Sequence, residues 1–196
     1  MTQYVETVDD VYRWFHELHD IANERLRRQT AEALYDAPEY FWSVKASSYF
    51  HPDEHAARHG VVLHTKRACS VFERVVESME EQKHFTDNDA DYGRAALLLH
   101  DTHYYGTAPT DTGKKPETGS DKTAAAYYRE HSDLPTQVIE GIAAAKGVWG
   151  HGHQPRTHLQ QIIHVADQLA STDYIDIGVK KPNDVLTQQF PSLRTR

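Results

Sequence analysis

The chain has 196 residues, enough for one substantial core and too few for two ordinary domains. Lys+Arg 21 against Asp+Glu 29 leaves a formal charge of -8, which excludes a general basic footprint for nucleic acid, although full protonation of its 14 histidines would carry the sum to +6. Hydrophobic residues at 39% and charged residues at 26% exclude an intrinsically disordered chain.

Helical spacing dominates from the start. Val8, Val11, Phe15, Leu18, Ala22 and Leu26 recur at steps of three and four and predict one amphipathic helix over residues 7–34. Pro38 ends it, and Tyr40-Phe41-Trp42 opens an aromatic connection reaching Pro52. A second long helix follows Gly60, with Val62, Thr65, Cys69, Phe72, Val76 and Met79 as its inner stripe. Thr86-Asp87-Asn88-Asp89 is N-cap chemistry for a third helix. Its run Ala95-Ala96-Leu97-Leu98-Leu99 is apolar all round, so that helix is expected at the centre. Residues 104–120 hold three glycines and two prolines and predict a long loop of the lid or binding kind. Helices are expected again over 121–131 and 135–146. A turn-rich stretch, 147–155, precedes the last helix, built on Leu159, Ile162, Ile163, Ala166, Leu169 and Ala170. No β-alternation and no repeat stands out. The expectation is an all-α single domain: an N-terminal helix (7–34), a core (40–175) and a weakly patterned polar tail (182–196). The lone Cys69 excludes a disulfide framework, and MTQYVETVDD lacks the apolar core of a signal peptide, so a reducing cytoplasmic setting is expected.

His100-Asp101 closes the most apolar helix, where a lone charge is costly. A bound divalent ion removes that cost, since imidazole nitrogen and carboxylate oxygen suit borderline metals; a helix-terminal ion pair is the alternative. His64 and Asp167 each flank the apolar stripe of their own helix, so three central helices would bring His64, His100, Asp101 and Asp167 together. His19-Asp20 repeats the dipeptide in a polar context and reads as a solvated face.

The order His64, His100-Asp101, Asp167 resembles the H…HD…D signature of the HD superfamily of metal-dependent phosphohydrolases. HAARHGVVLHTKRA (55–68) is similar to that family's first-histidine helix, AALLLHDTHYYG (95–106) to its HD helix, and VWGHGHQPRTHLQQIIHVADQLAS (148–171) to its third ligand segment. These segments are most like the HD domains of bacterial 3′→5′ exoribonucleases and of small archaeal and phage HD proteins. The resemblance implies an HD-type helical bundle and a phosphoric ester hydrolase using metal-activated water. Two-metal members carry further histidines where this chain has Ala144-Ala145-Lys146-Gly147 and Thr118-Gly119-Ser120-Asp121, so one divalent ion (Mn, Co, Ni, Fe, Zn or Mg) is expected. His151 and His153 would either restore a second site or form a solvated turn.

With such an ion, Asp101 is both ligand and the group that orients or deprotonates water. His103 and His55 are candidates to protonate or face the leaving group, or else surface histidines. Lys146 would bind phosphate as a point charge, or complement a helix C-terminus. Trp149 would stack a base, or pack in the core. Lys114 and Lys115 on the long loop would close over an anion, or stay solvated. The acidic composition favours a small anionic substrate, a nucleotide first, over an extended nucleic acid, and no window approaches a membrane-spanning length, so no membrane partner is expected. A phosphodiesterase or 3′→5′ exonuclease, helped by Arg58, Lys66 and Arg67, is the alternative enzyme. A nucleotide-binding regulatory module is the non-enzymatic one. The 7–34 helix either caps the core or pairs with a second subunit.

Overall fold

The computed structural model describes residues 4–46, 51–79, 85–107 and 119–172. The expectations for Lys114, Lys115 and the 182–196 tail lie outside them. Among the described residues there are helices and turns and no strand, so the fold is all-α.

The predicted 7–34 helix is three pieces: α1 (Val8–Trp14), a 3-10 turn (His16–Asp20) and α2 (Glu24–Tyr35). The cause lies far away in sequence. Asp91, itself buried, accepts the backbone N–H groups of Ala22 (3.0 Å) and Asn23 (2.8 Å), while the Asn23 side chain caps the new helix by accepting from Leu26 N. A 3-10 turn keeps a three-residue step, so Phe15, Leu18 and Ile21 all stay buried and the periodicity hides the break. His19 and Asp20 are exposed, in keeping with a solvated face.

The aromatic connection contains a 3-10 turn (Glu39–Trp42) whose Phe41 stacks on Phe15 and whose Trp42 meets Trp14, ring centroids 6.1 and 5.7 Å apart. It joins the N-terminal pieces to α3 (Gly60–Glu77), whose stripe Val62, Thr65, Cys69 and Phe72 is buried. A capping box between Thr86 and Asp89 starts α4 (Asp87–Leu99). This helix packs against α2, α3, α6 (Thr136–Ala144) and α7 (His158–Ala170), with Leu97, Leu98 and Leu99 fully buried. It is central, as its sequence predicts. Helix α5 (Ser120–His131) lies on α6, and α7 lies on α3.

Antiparallel α3 and α4 approach closely because Gly93 has no side chain. A Cβ there would sit 2.1 Å from Phe72 Cζ. Gly93→Ala is therefore expected to cost about 1–3 kcal/mol through overpacking, read as a lower midpoint in urea. An unchanged midpoint would show that the Phe72 ring yields without cost.

Candidate metal centre

Three helices deliver the buried polar groups. His64 projects from α3, His100 caps the C-terminus of α4 with Asp101 next to it, and Asp167 comes from α7. All four are at most 4% exposed. The Nε2 atoms of His64 and His100 face each other at 3.3 Å. Asp167 Oδ1 lies 2.9 Å from the first and 3.2 Å from the second. Asp101 Oδ2 completes the group at 3.5 Å from His100 Nε2 and 3.7 Å from His64 Nε2. The predicted convergence of these four residues is what the structure contains.

Two imidazole nitrogens this close, ringed by carboxylate oxygens, make a seat that suits a cation. A proton serves when no metal is present. Burial pulls the His100 imidazole down, but the Asp101 and Asp167 carboxylates and the Leu97 carbonyl lift it to about 9. Burial likewise pushes both carboxyls up, and their partners reverse this. Lys146 first, then His100 and His64, bring Asp101 to about 2, while hydrogen bonds from His100 and His64 hold Asp167 well below the usual carboxylate range. One ligand atom each from His64, His100 and Asp101 lies within 4.8 Å of the others, so this group could hold an ion. His100 Nδ1 meets Leu97 O at 2.6 Å, a contact that, with Nδ1–H as donor, turns the Nε2 lone pair toward the centre.

Lys146 stands at the outer edge. Its Nζ is 2.9 Å from Asp101 Oδ1 and 2.6 Å from Ser120 Oγ, and lies 5.2 Å over the Tyr104 ring. Burial depresses its ammonium, and Asp101 more than offsets this, so its pKa is raised. It does not simply complement a helix end.

His55 and His103 are not surface histidines; both are fully buried. His55 sits in a 3-10 turn (Asp53–Ala56), its ring 5.8 Å from that of His64, and neither ring nitrogen has a hydrogen-bond partner. Burial, then His64 and His51, bring it down to about 2. Gly60 makes this placement fit, since a Cβ there would meet the His55 carbonyl oxygen at 1.8 Å. His103 packs on Tyr127 (4.4 Å) and Tyr128 (5.4 Å) with Nδ1 3.0 Å from Thr102 Oγ1, and burial lowers it to about 4. Trp149 is 75% exposed, so the core-packing alternative for it fails.

Neither His151 nor His153 turns to the centre as a second ligand set. His153 Nε2 pairs with Glu140 at 2.7 Å, and His151 is exposed, its backbone N–H held by buried Asp121 together with that of Gly152. The basic group offered for the exonuclease reading is also spoken for. Lys66 is buried on Trp14 O (2.7 Å) and Glu17 (2.8 Å), Arg67 donates to Thr172 O, and Arg58 donates to the Tyr4 hydroxyl.

One neighbour escapes the sequence reading. The His51 ring lies 4.7 Å from that of His64, and burial lowers it to about 4. The signal available was His51 four residues before His55, ahead of the glycine that opens α3.

No family model matches the chain, and no curated protein or solved structure matches it. No helix among the described residues is long and apolar enough to cross a membrane.

Proposed function

We propose that this protein is a phosphohydrolase that uses one divalent ion to cleave a nucleotide or another small phosphoester. The observation that carries the reading is the buried His64–His100–Asp101 group with Asp167 on one side and the Lys146 ammonium on the other. The order of these ligands along the chain, which resembles the HD signature, supports it as well.

A divalent ion bound there supplies Lewis acidity toward a phosphoryl oxygen and a water of lowered pKa. The rest falls to the chain. His64, His100, Asp101 and Asp167 would hold the ion. Asp101, with one oxygen toward the histidines and one toward Lys146, orients the attacking water and accepts its proton. Lys146 attracts the phosphate. His55 and His103 are neutral near pH 7, given pKa values near 2 and 4, so neither brings a proton to the leaving group. His55 instead backs the His64 ring. Exposed Trp149, three residues beyond Lys146, offers a flat apolar face for a base. With -8 overall and Lys66 paired internally, a small anion suits the protein better than a polynucleotide.

The test is incubation of metal-supplemented protein with ribo- and deoxynucleotides, cyclic nucleotides and a short oligonucleotide, with products separated by chromatography. Asp101→Ala runs alongside. We expect metal-dependent loss of one mononucleotide class, reduced at least about 100-fold in the variant. Shortening of the oligonucleotide alone would favour an exonuclease. Tight nucleotide binding with no turnover under any metal would favour a regulatory module.

A further inference from the structure

We propose that Lys146 is the second cation of this centre, resident in the chain, and that its ammonium grips a phosphoryl oxygen of the substrate opposite a single divalent ion. This rests on the metal-dependent reading above and adds how the phosphate is held. The geometry assigns the two oxygens of Asp101 to different partners. Oδ2 faces the two imidazoles at 3.5 and 3.7 Å, and Oδ1 faces Nζ at 2.9 Å. In two-metal hydrolases the ions sit about 3.5–4 Å apart and clamp the two sides of the reacting phosphate. A second ion at this centre would need a seat on Oδ1, and the ammonium already occupies it.

The surroundings of that seat suit a lysine and not a metal. Besides Asp101 they comprise the Ser120 hydroxyl, which is 2% exposed, and the face of Tyr104. The preceding Ala144 and Ala145 are buried methyl groups, and of the two following histidines His151 is exposed and His153 is paired to Glu140. The turn is pinned from α7, where His164 Nδ1 lies 2.8 Å from Ala145 O. Nζ carries three hydrogens. One goes to Ser120 Oγ, and Asp101 Oδ1 lies at ion-pair distance without a hydrogen bond to any partner, so the ammonium keeps donors for an incoming oxygen. The Lys146 side chain is 22% exposed while that of Asp101 is 4% exposed, which puts Lys146 on the solvent side of the pair.

A cation sharing a carboxylate with a metal weakens that metal and strengthens the anion. Removing it must move the two affinities in opposite directions, which loss of a merely structural contact does not do. The experiment is calorimetric titration of the full chain with Mn²⁺ alone, then of the Mn²⁺-loaded protein with inorganic phosphate, for wild type, Lys146→Met and Lys146→Arg. Folding is checked by circular dichroism. Wild type is expected to bind one Mn²⁺ per chain. Lys146→Met is expected to bind Mn²⁺ about tenfold more tightly and phosphate at least about tenfold more weakly. Lys146→Arg, which keeps the charge, should stay near wild type in Mn²⁺ affinity and so shows that the effect is electrostatic. Two Mn²⁺ per wild-type chain would overturn the proposal. So would a Met variant whose two affinities are unchanged or fall together. In either case the metal-dependent reading survives, although two Mn²⁺ would change its single ion to two. If wild type binds no Mn²⁺, that reading fails and this one with it.

Discussion

Asp167→Ala is expected to eliminate measurable stabilisation by divalent ions and to destabilise the metal-free protein as well. Asp167 Oδ1 touches both histidine Nε2 atoms, at 2.9 and 3.2 Å, and its side chain is 5% exposed. Removing one partner of a buried ion pair typically costs about 3–5 kcal/mol, because the remaining charge is left without compensation. A ligand counts for more than its supporting partners, whose loss alone lowers metal affinity about 10–100-fold. For wild type, metal at 100-fold over its Kd adds about 2.7 kcal/mol to stability. Differential scanning calorimetry with and without Mn²⁺ reads both effects. Gln168→Ala removes only a contact to the other oxygen, Gln168 Nε2 to Asp167 Oδ2 at 3.1 Å, and should keep most of the metal-induced rise. A full rise retained in Asp167→Ala would exclude Asp167 from the ligand set.

The second large effect is on pH dependence. His100 in the folded, metal-free protein titrates near 9 against 6.5 for a free imidazole. Its pKa is raised, so its contribution is fully present below 6.5 and is lost as pH rises through 9. His51, His55 and His103 are lowered, to about 4, 2 and 4. They are buried neutral, so below 6.5 the unfolded chain takes up protons that the folded chain refuses, and stability falls toward pH 4. Asp101 extends the acid limb, since its carboxyl titrates near 2 instead of 3.8. The thermal midpoint of chelator-treated protein is therefore expected to peak near pH 6.5 and fall on both sides. A saturating divalent ion replaces the His100 proton, so the alkaline fall should vanish while the acid fall remains. A flat midpoint between pH 6.5 and 9 without metal would contradict the assignment of that proton.

Much of this architecture is written in short-range pattern. The Thr86–Asp89 cap, the apolar run of α4 and the stripe of α3 are local features, and each leads to the observed element. His100-Asp101 is legible for the same reason: two ionisable groups follow five apolar residues. What escapes depends on distant partners. The split of the first helix is imposed by Asp91, and the burial of Lys66 by a carbonyl and a carboxylate on residues 14 and 17. No periodicity within either segment carries that information. His51 lies in an irregular stretch before α3, where spacing assigns no face. Trp149 is ambiguous from sequence because an indole suits a core and a binding face equally, and only the 3-10 turn (Gly147–Trp149) decides for the outside.

Asp91 and Lys66 together have a mechanical meaning. One is on the helix that ends in His100, the other two residues beyond His64, and both reach back to the segment between α1 and α2. Residues 14–23 thus act as a clasp across the two helices whose imidazoles must meet. An ion held between those imidazoles is expected to steady the clasp, and by linkage opening the clasp is expected to weaken the ion's binding. Protection of the Ala22 and Asn23 amides from hydrogen exchange is therefore expected to rise when Mn²⁺ is added, and unchanged protection would show that the clasp and the centre are independent.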